Sequence, residues 1–273
     1  MCNKEIGKQF ELESRDFILE WKKTENHPLT KIVLDYLHKK NLDPHKIKDV
    51  HWVGGNNALH NMTGITGGNP SDLLIEFDDK SYVGLSLKSH NKKRKIVLKN
   101  PGLYKVGEYL DINYRNICNK KTGEIIEKYK LNISSKGRKD QIRSDKALSK
   151  NILKDSNEFL GCILNDKKFG ICSNYIRKSH KENVDHILNY WMNADEEVIP
   201  YIIIIRDNND YQYEDPLEMD CRKILIKSKA LTWKSSGNSV IIRDEKDLNI
   251  MRIRIKFAGQ PFASSIKFSG EMV

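Results

Sequence analysis

Residues 200–208 read "PYIIIIRDN", and four consecutive isoleucines leave a chain few options. Side chains of a strand point alternately to the two faces of a sheet. A run that is apolar at every position is therefore a strand buried on both faces, usually a central one. It is far too short to span a bilayer. Two more apolar runs, at about 71–78 and 81–89, are joined by Asp78-Asp79-Lys80, the expected connection of a tight hairpin. A third short strand is expected at 95–99, ending at the turn Asn100-Pro101-Gly102.

Helical spacing surrounds these strands. Ile6, Phe10, Phe17 and Trp21 recur as one stripe over about 4–24, and Pro28 opens a second helix over about 28–40. Further helices are expected at 103–113 and 181–194. The order helix, hairpin strands, helix, central strand is that of an α/β protein. The polar, basic stretch 119–151 reads as a hairpin and mobile loop inserted in this core. Residues 216–273 read as strands throughout, in "RKILIKS", "SVIIRD", "MRIRIKF" and "SSIKFSG". The expected organisation is a core at 1–215 with a basic insertion at about 119–151, and a strand-rich C-terminal region at 216–273.

With 273 residues, 38% of them apolar, the chain is long enough to bury a proper core. Its formal charge of +10 favours a polyanionic partner. AT-biased coding also enriches Lys, Asn and Ile, but here the cations cluster as well. Five cysteines without a CxxC spacing read as free thiols of a reducing compartment. No signal peptide is visible, so an intracellular, cytoplasmic protein with no membrane association is expected.

Period-2 alternation puts Asp72, Leu74 and Glu76 on one face of the first hairpin strand, and Gly84, Ser86 and Lys88 together on the second. A hairpin can then gather Asp72, Ser86 and Lys88 on one side. At about 100° per residue, Glu13 falls inside the arc of the first helix's stripe. A carboxylate there is costly unless it is paired or binds a metal. The alternative is a rotated helix with Glu13 at its rim. An acid that holds Mg²⁺ beside a lysine suits phosphodiester cleavage, in which charge grows on the phosphorus oxygens.

Asn-Pro-Ser-Asp at 69–72, the 13-residue gap and Ser86-Leu87-Lys88 resemble the PD-(D/E)xK nuclease superfamily, home of most type II restriction enzymes. The resemblance covers about 6–110 and the strand near 201–206. It implies a restriction-endonuclease-like core, a mixed central sheet flanked by helices, and a Mg²⁺-dependent DNA endonuclease in which Mn²⁺ can substitute. Asp72 would be the metal-binding acid, Lys88 the catalytic lysine, and Glu13 the acid many members carry on the first helix. Ser86 stands where the family usually has a carboxylate. One branch with Ser-x-Lys recovers that acid from a later helix, for which Glu108 is the candidate, with Asp111 behind it; Glu76 is another. Double-stranded DNA is the expected partner, with RNA left open and a homodimer as a candidate assembly. The rival reading is a non-catalytic nucleic-acid-binding protein with a degenerate nuclease fold.

Cations continue downstream of Lys88 in Lys92, Lys93, Arg94, Lys95 and Lys99, where flanking phosphates of a substrate would lie. A second patch comprises Lys136, Arg138, Lys139, Arg143 and Lys146. Arg252 and Arg254 share a strand face, as a base-reading ribbon would place them. His51, Asn56, Asn57 and His60 echo an HNH nuclease, but two glycines interrupt the stretch. His180 and His186 read as surface residues, and Trp233 as core rather than as a stacking platform.

Overall fold

A computed structural model describes residues 3–53, 71–90, 101–192, 199–208 and 210–272. The chain divides into two compact units, Met1–Arg94 with Met192–Lys223 and Lys95–Trp191 with Ile224–Val273. This division differs from a split at 215/216, because the middle of the chain groups with the C-terminal strands.

In the first unit, helix α1 (Asn3–Leu19) is followed by a single turn, α2 (Trp21–Thr24), and by α3 (Pro28–Lys39). Proline at the first position lacks the N–H that a helix start cannot satisfy, and His27 Nδ1 accepts the Leu29 N–H. Strands β1 (Ile47–Trp52), β2 (Leu73–Phe77), β3 (Tyr82–His90), β4 (Tyr201–Asp207) and β5 (Asp210–Glu214) form one sheet in that spatial order. Neighbours are antiparallel except β3 and β4, which are parallel, so the sheet is mixed.

One face of this sheet carries Leu73, Ile75, Phe77, Val83, Leu85, Leu87, Ile202 and Ile204 against Phe10, Ile18, Leu29, Val33, Tyr36 and Leu37 of α1 and α3. Each such burial contributes about 1.5–3 kcal/mol. The α1 stripe differs in phase from the expected one. Phe10, Ser14 and Ile18 are buried, whereas Ile6 is 37% exposed. Ser14 is tolerated because its hydroxyl donates to the Phe10 carbonyl at 2.7 Å.

The second unit begins with α4 (Leu103–Leu110), α5 (Tyr114–Tyr129), α6 (Ser135–Ser144) and α7 (Lys146–Asn165). The expected hairpin and loop at 119–151 are therefore helices. Side chains of Asn113, Ser134 and Asp145 cap three of them by accepting N–H groups of Asn116, Gly137 and Leu148. Ile125, Ile142 and Ile152 each bury an anchor. Helices α8 (Ile171–Arg177) and α9 (His180–His186) follow, and a π turn (Ile187–Trp191) continues α9.

"RKILIKS" is not a strand either: α10 spans Asp220–Lys227, burying Cys221 and Leu225 one helical turn apart. Strands β6 (Thr232–Ser236), β7 (Ser239–Arg243), β8 (Asn249–Phe257) and β9 (Ile266–Met272) form an antiparallel sheet in chain order. Aromatic rings fill the inner side of this unit. Tyr175 stacks on Trp233 at 3.7 Å, and His186 on Tyr109 at 3.6 Å. His186 is thus buried rather than at the surface, and the His180 ring bonds the Ser228 carbonyl. Among the described residues no helix is long and apolar enough to cross a membrane.

Gly84 of β3 pairs with Leu74 on one side and Tyr201 on the other. A Cβ there would meet Ser71 Oγ at 2.0 Å and Tyr201 Cβ at 2.9 Å. Gly84→Ala is expected to lower stability by about 1–3 kcal/mol through overpacking, read from the urea midpoint at unchanged m-value.

Candidate active site

The hairpin register decides what can meet. Leu73 pairs with Leu85, so Asp72, one residue earlier, lies across from Ser86. The Asp72 backbone is held on both sides: its N–H donates to Leu85 O at 2.8 Å, and its carbonyl accepts Val53 N–H at 2.9 Å. Its side chain turns toward β3. Asp72 Oδ2 accepts the Leu87 N–H at 2.7 Å and the Lys88 ammonium at 3.3 Å. Both side chains remain partly open to solvent, 21% for Asp72 and 32% for Lys88. The structure thus brings Asp72 and Lys88 together at the open end of the hairpin, with Ser86 buried beside them.

A third group comes from α1, and it is Glu11. Its Oε2 accepts the indole N–H of Trp52, the last residue of β1, at 2.7 Å. Burial pushes the Glu11 carboxyl above the usual range, and the negative charge of Asp72 adds to that; the Trp52 bond, Lys88 and Lys8 act against it. Glu11 therefore sits within the electrostatic reach of both Asp72 and Lys88. Its signal in the sequence was weak, because it becomes visible only once the helix is phased on Phe10, Ser14 and Ile18. The Glu11 flank of that stripe turns toward β1, whereas the Glu13 flank turns toward β4.

Glu13 is accordingly not a buried-stripe acid. Its side chain is 43% exposed, accepts from Gln9 at 2.9 Å and pairs with Arg206 of β4 at 3.5 Å. Glu76 is committed at the other end of its strand, gripped by Lys48 and by His51, each at 2.7 Å. These two partners hold its carboxyl below the usual range. Glu108 belongs to the second unit, on α4, where it is exposed and paired with Lys105 at 2.8 Å. Asp111 ends that helix in a left-handed conformation and pairs with Lys178 at 3.7 Å.

The cations separate in the same way. Lys92, Lys93, Arg94, Lys95 and Lys99 lie outside the described residues, as do Asn56, Asn57 and His60. Arg138 is buried, and its guanidinium donates to the carbonyls of Phe262, Asn132 and Ile133 at 2.6–3.1 Å. Those donors tie down the loop around α6, which removes Arg138 from the phosphate-binding set. Lys139 is half-buried and Arg143 exposed on the same helix.

Among the described residues no cluster of three or more His, Cys, Asp or Glu could hold a metal ion. Asp72 Oδ2 and Glu11 Oε2 are engaged by the protein, and the Asp72 charge reaches Glu11. Among the described residues nothing bonds Asp72 Oδ1 or Glu11 Oε1, so these two oxygens are candidate hard donors. Mg²⁺ commonly takes one or two carboxylates, with waters and substrate phosphate completing its shell, so this donor set fits it. Comparison of the chain with protein-family models, with curated proteins and with solved structures returned no match.

The raised Glu11 carboxyl has a stability consequence. The folded state binds a proton there more readily than the unfolded chain, so stability falls as pH rises from the ordinary carboxylate value through the raised one. Glu11→Gln keeps an acceptor for Trp52 and removes the charge. Its urea midpoint at pH 7 is expected to equal or exceed that of the wild type, with the advantage shrinking toward pH 4. A variant clearly less stable at pH 7 would show that the carboxylate is stabilising in place.

Proposed function

We propose that the chain is a Mg²⁺-dependent endonuclease that hydrolyses phosphodiester bonds of double-stranded DNA, of restriction type, on a restriction-endonuclease-like core. The observation that carries this reading is the hairpin geometry in which Lys88 and the Leu87 N–H share one oxygen of Asp72, with Glu11 within electrostatic reach of both. The sheet supports it, with an antiparallel hairpin, a parallel neighbour entering from a distant part of the chain and helices α1 and α3 on one face.

Asp72 and Glu11 would hold the ion, with Mn²⁺ as a substitute. Bound there, Mg²⁺ supplies Lewis acidity toward a phosphate oxygen and lowers the pKa of a water. The chain's own residues do the rest. The Leu87 N–H and the Lys88 ammonium fix the rotamer of Asp72 through Oδ2, which sets the direction of Oδ1. The Trp52 indole does the same for Glu11. Lys88, partly open to solvent, offers a positive charge to the phosphate as negative charge builds on it, and can orient an attacking water. Glu11 is proposed, in place of Glu13, Glu76 and Glu108, as the acid that makes up for the carboxylate missing at Ser86.

A second reading has one observation behind it. Among the described residues no three His, Cys, Asp or Glu cluster to hold a metal, which also suits a nucleic-acid-binding protein whose site has lost a ligand. Digestion of unmethylated plasmid with and without Mg²⁺ separates the two. Discrete bands are expected, a smear would mean a non-specific nuclease, and intact plasmid at every metal concentration would leave the binding protein.

Single-turnover cleavage then ranks the residues. Asp72→Ala, Lys88→Ala and Glu11→Gln are each expected to lose on the order of 100-fold or more in rate. Glu13→Gln, Glu76→Gln, Glu108→Gln and Ser86→Ala should stay within about tenfold of wild type, as expected of groups paired elsewhere or of a neutral hydroxyl. Near-normal cleavage by Asp72→Ala or Lys88→Ala would remove the site.

A further inference from the structure

The outward face of the second sheet carries an excess of positive charge that nothing in the proposed chemistry uses. The register places Lys234, Ile241, Arg252 and Glu271 in one row across β6 to β9, and Ser236, Ser239, Arg254 and Ser269 in the next. Lys256 and Lys267 form a third row, and Arg243 lies opposite Thr232. The inward face of the same strands is Trp233, Val240, Ile242, Ile253, Ile255 and Phe268, all buried. Lys234, Arg254, Lys256 and Lys267 are exposed.

Six cations thus share a surface with few acids. Arg254 pairs with Glu271 at 3.2 Å, and Arg243 with Asp247 at 3.7 Å. Lys234, Arg252, Lys256 and Lys267 make no ion pair among the described residues. Lys256 and Lys267 are moreover direct cross-strand partners, a like-charge placement that destabilises a sheet. Such a placement is relieved when a polyanion lies over it.

We propose that this face binds duplex DNA through its phosphate backbone, as a surface additional to the hairpin site. Charge complementarity names the class of partner, and the composition of the face narrows it. The exposed Ser236 and half-buried Ser239 lie beside the cations as further hydroxyl donors to phosphate. The apolar residue of the face, Ile241, is buried, so the face lacks the exposed apolar anchors by which a protein lodges in a lipid interface.

The test uses the full chain and a fluorescein-labelled 20-base-pair duplex in EDTA, where cleavage cannot interfere, with anisotropy titrations from 50 to 200 mM salt. Each phosphate contact contributes about −0.9 to the slope of log affinity against log salt. The triple variant Arg252→Gln, Lys256→Gln, Lys267→Gln is expected to flatten the slope by about 2.7 and weaken binding about tenfold or more. The matched triple Lys22→Gln, Lys23→Gln, Lys31→Gln in the first unit should change the slope by less than about one.

Equal losses in both triples would reduce the effect to net charge and overturn the proposal. So would an unchanged slope in the first triple, or a loss confined to binding of phosphatidylserine vesicles. Lys267→Gln alone guards against misfolding. It relieves the opposed lysines, so Tm should rise by roughly 1–3 °C while the slope falls by about 0.9. A lower Tm, or a slope that does not move, counts against the surface. Because the assay contains no metal, failure of cleavage and failure of this surface are separate results.

Discussion

Strand β2 is buried at all five of its positions, and much of the first unit follows from that constraint. A strand with no wet face can carry charge only where a partner meets it or where burial ends. Glu76 illustrates the first case: the edge strand β1 supplies Lys48 and His51, which bond its two carboxylate oxygens. Asp72 illustrates the second. It precedes the buried run by one residue, so its backbone is locked by two strands while its carboxylate opens to solvent beside Lys88. A rigid scaffold thus ends in a polar constellation in which a backbone N–H and the Lys88 ammonium hold Asp72, and the Trp52 indole holds Glu11.

The parts of this arrangement legible in the sequence were those governed by local period. Alternation over 71–78 and 81–89 fixes faces without knowledge of the rest of the fold, and Asp78-Asp79-Lys80 fixes the pairing. Helix phase was harder. Ile6 suggested a stripe that the fold does not bury, and Ser14 is buried because it bonds its own helix backbone. That shift exchanges Glu13 for Glu11 as the acid beside Asp72, and the stronger clue, an indole needing an acceptor, lay 41 residues away in Trp52. In 119–151 polar composition hid helices whose stability rests on caps at Asn113, Ser134 and Asp145 and on sparse isoleucine anchors. "RKILIKS" shows the converse error: apolar, β-branched residues suggested a strand, whereas Cys221 and Leu225 bury as a helical pair.

The net charge of +10 is not spread evenly in function. Some cations are structural: Arg138 satisfies three carbonyls, and Lys48 neutralises Glu76. Others, such as Lys88, are tethered to one acid yet remain open. The outward cations of β8 and β9 fall in neither class, because strand register alone sets their positions and acids answer only some of them. Counting lysines would not separate these groups; burial and hydrogen-bond partners do.

Two placements in this protein are unfavourable in isolation, and they are opposite in sign. At the hairpin, burial and then the Asp72 charge oppose ionisation of Glu11, offset in part by the Trp52 bond, Lys88 and Lys8. On the second sheet, Lys256 faces Lys267 across a strand pair. A bound cation would relieve the first, and a polyanion would relieve the second. Lys256 and Lys267 lie on an exposed face, where water and salt screen their repulsion.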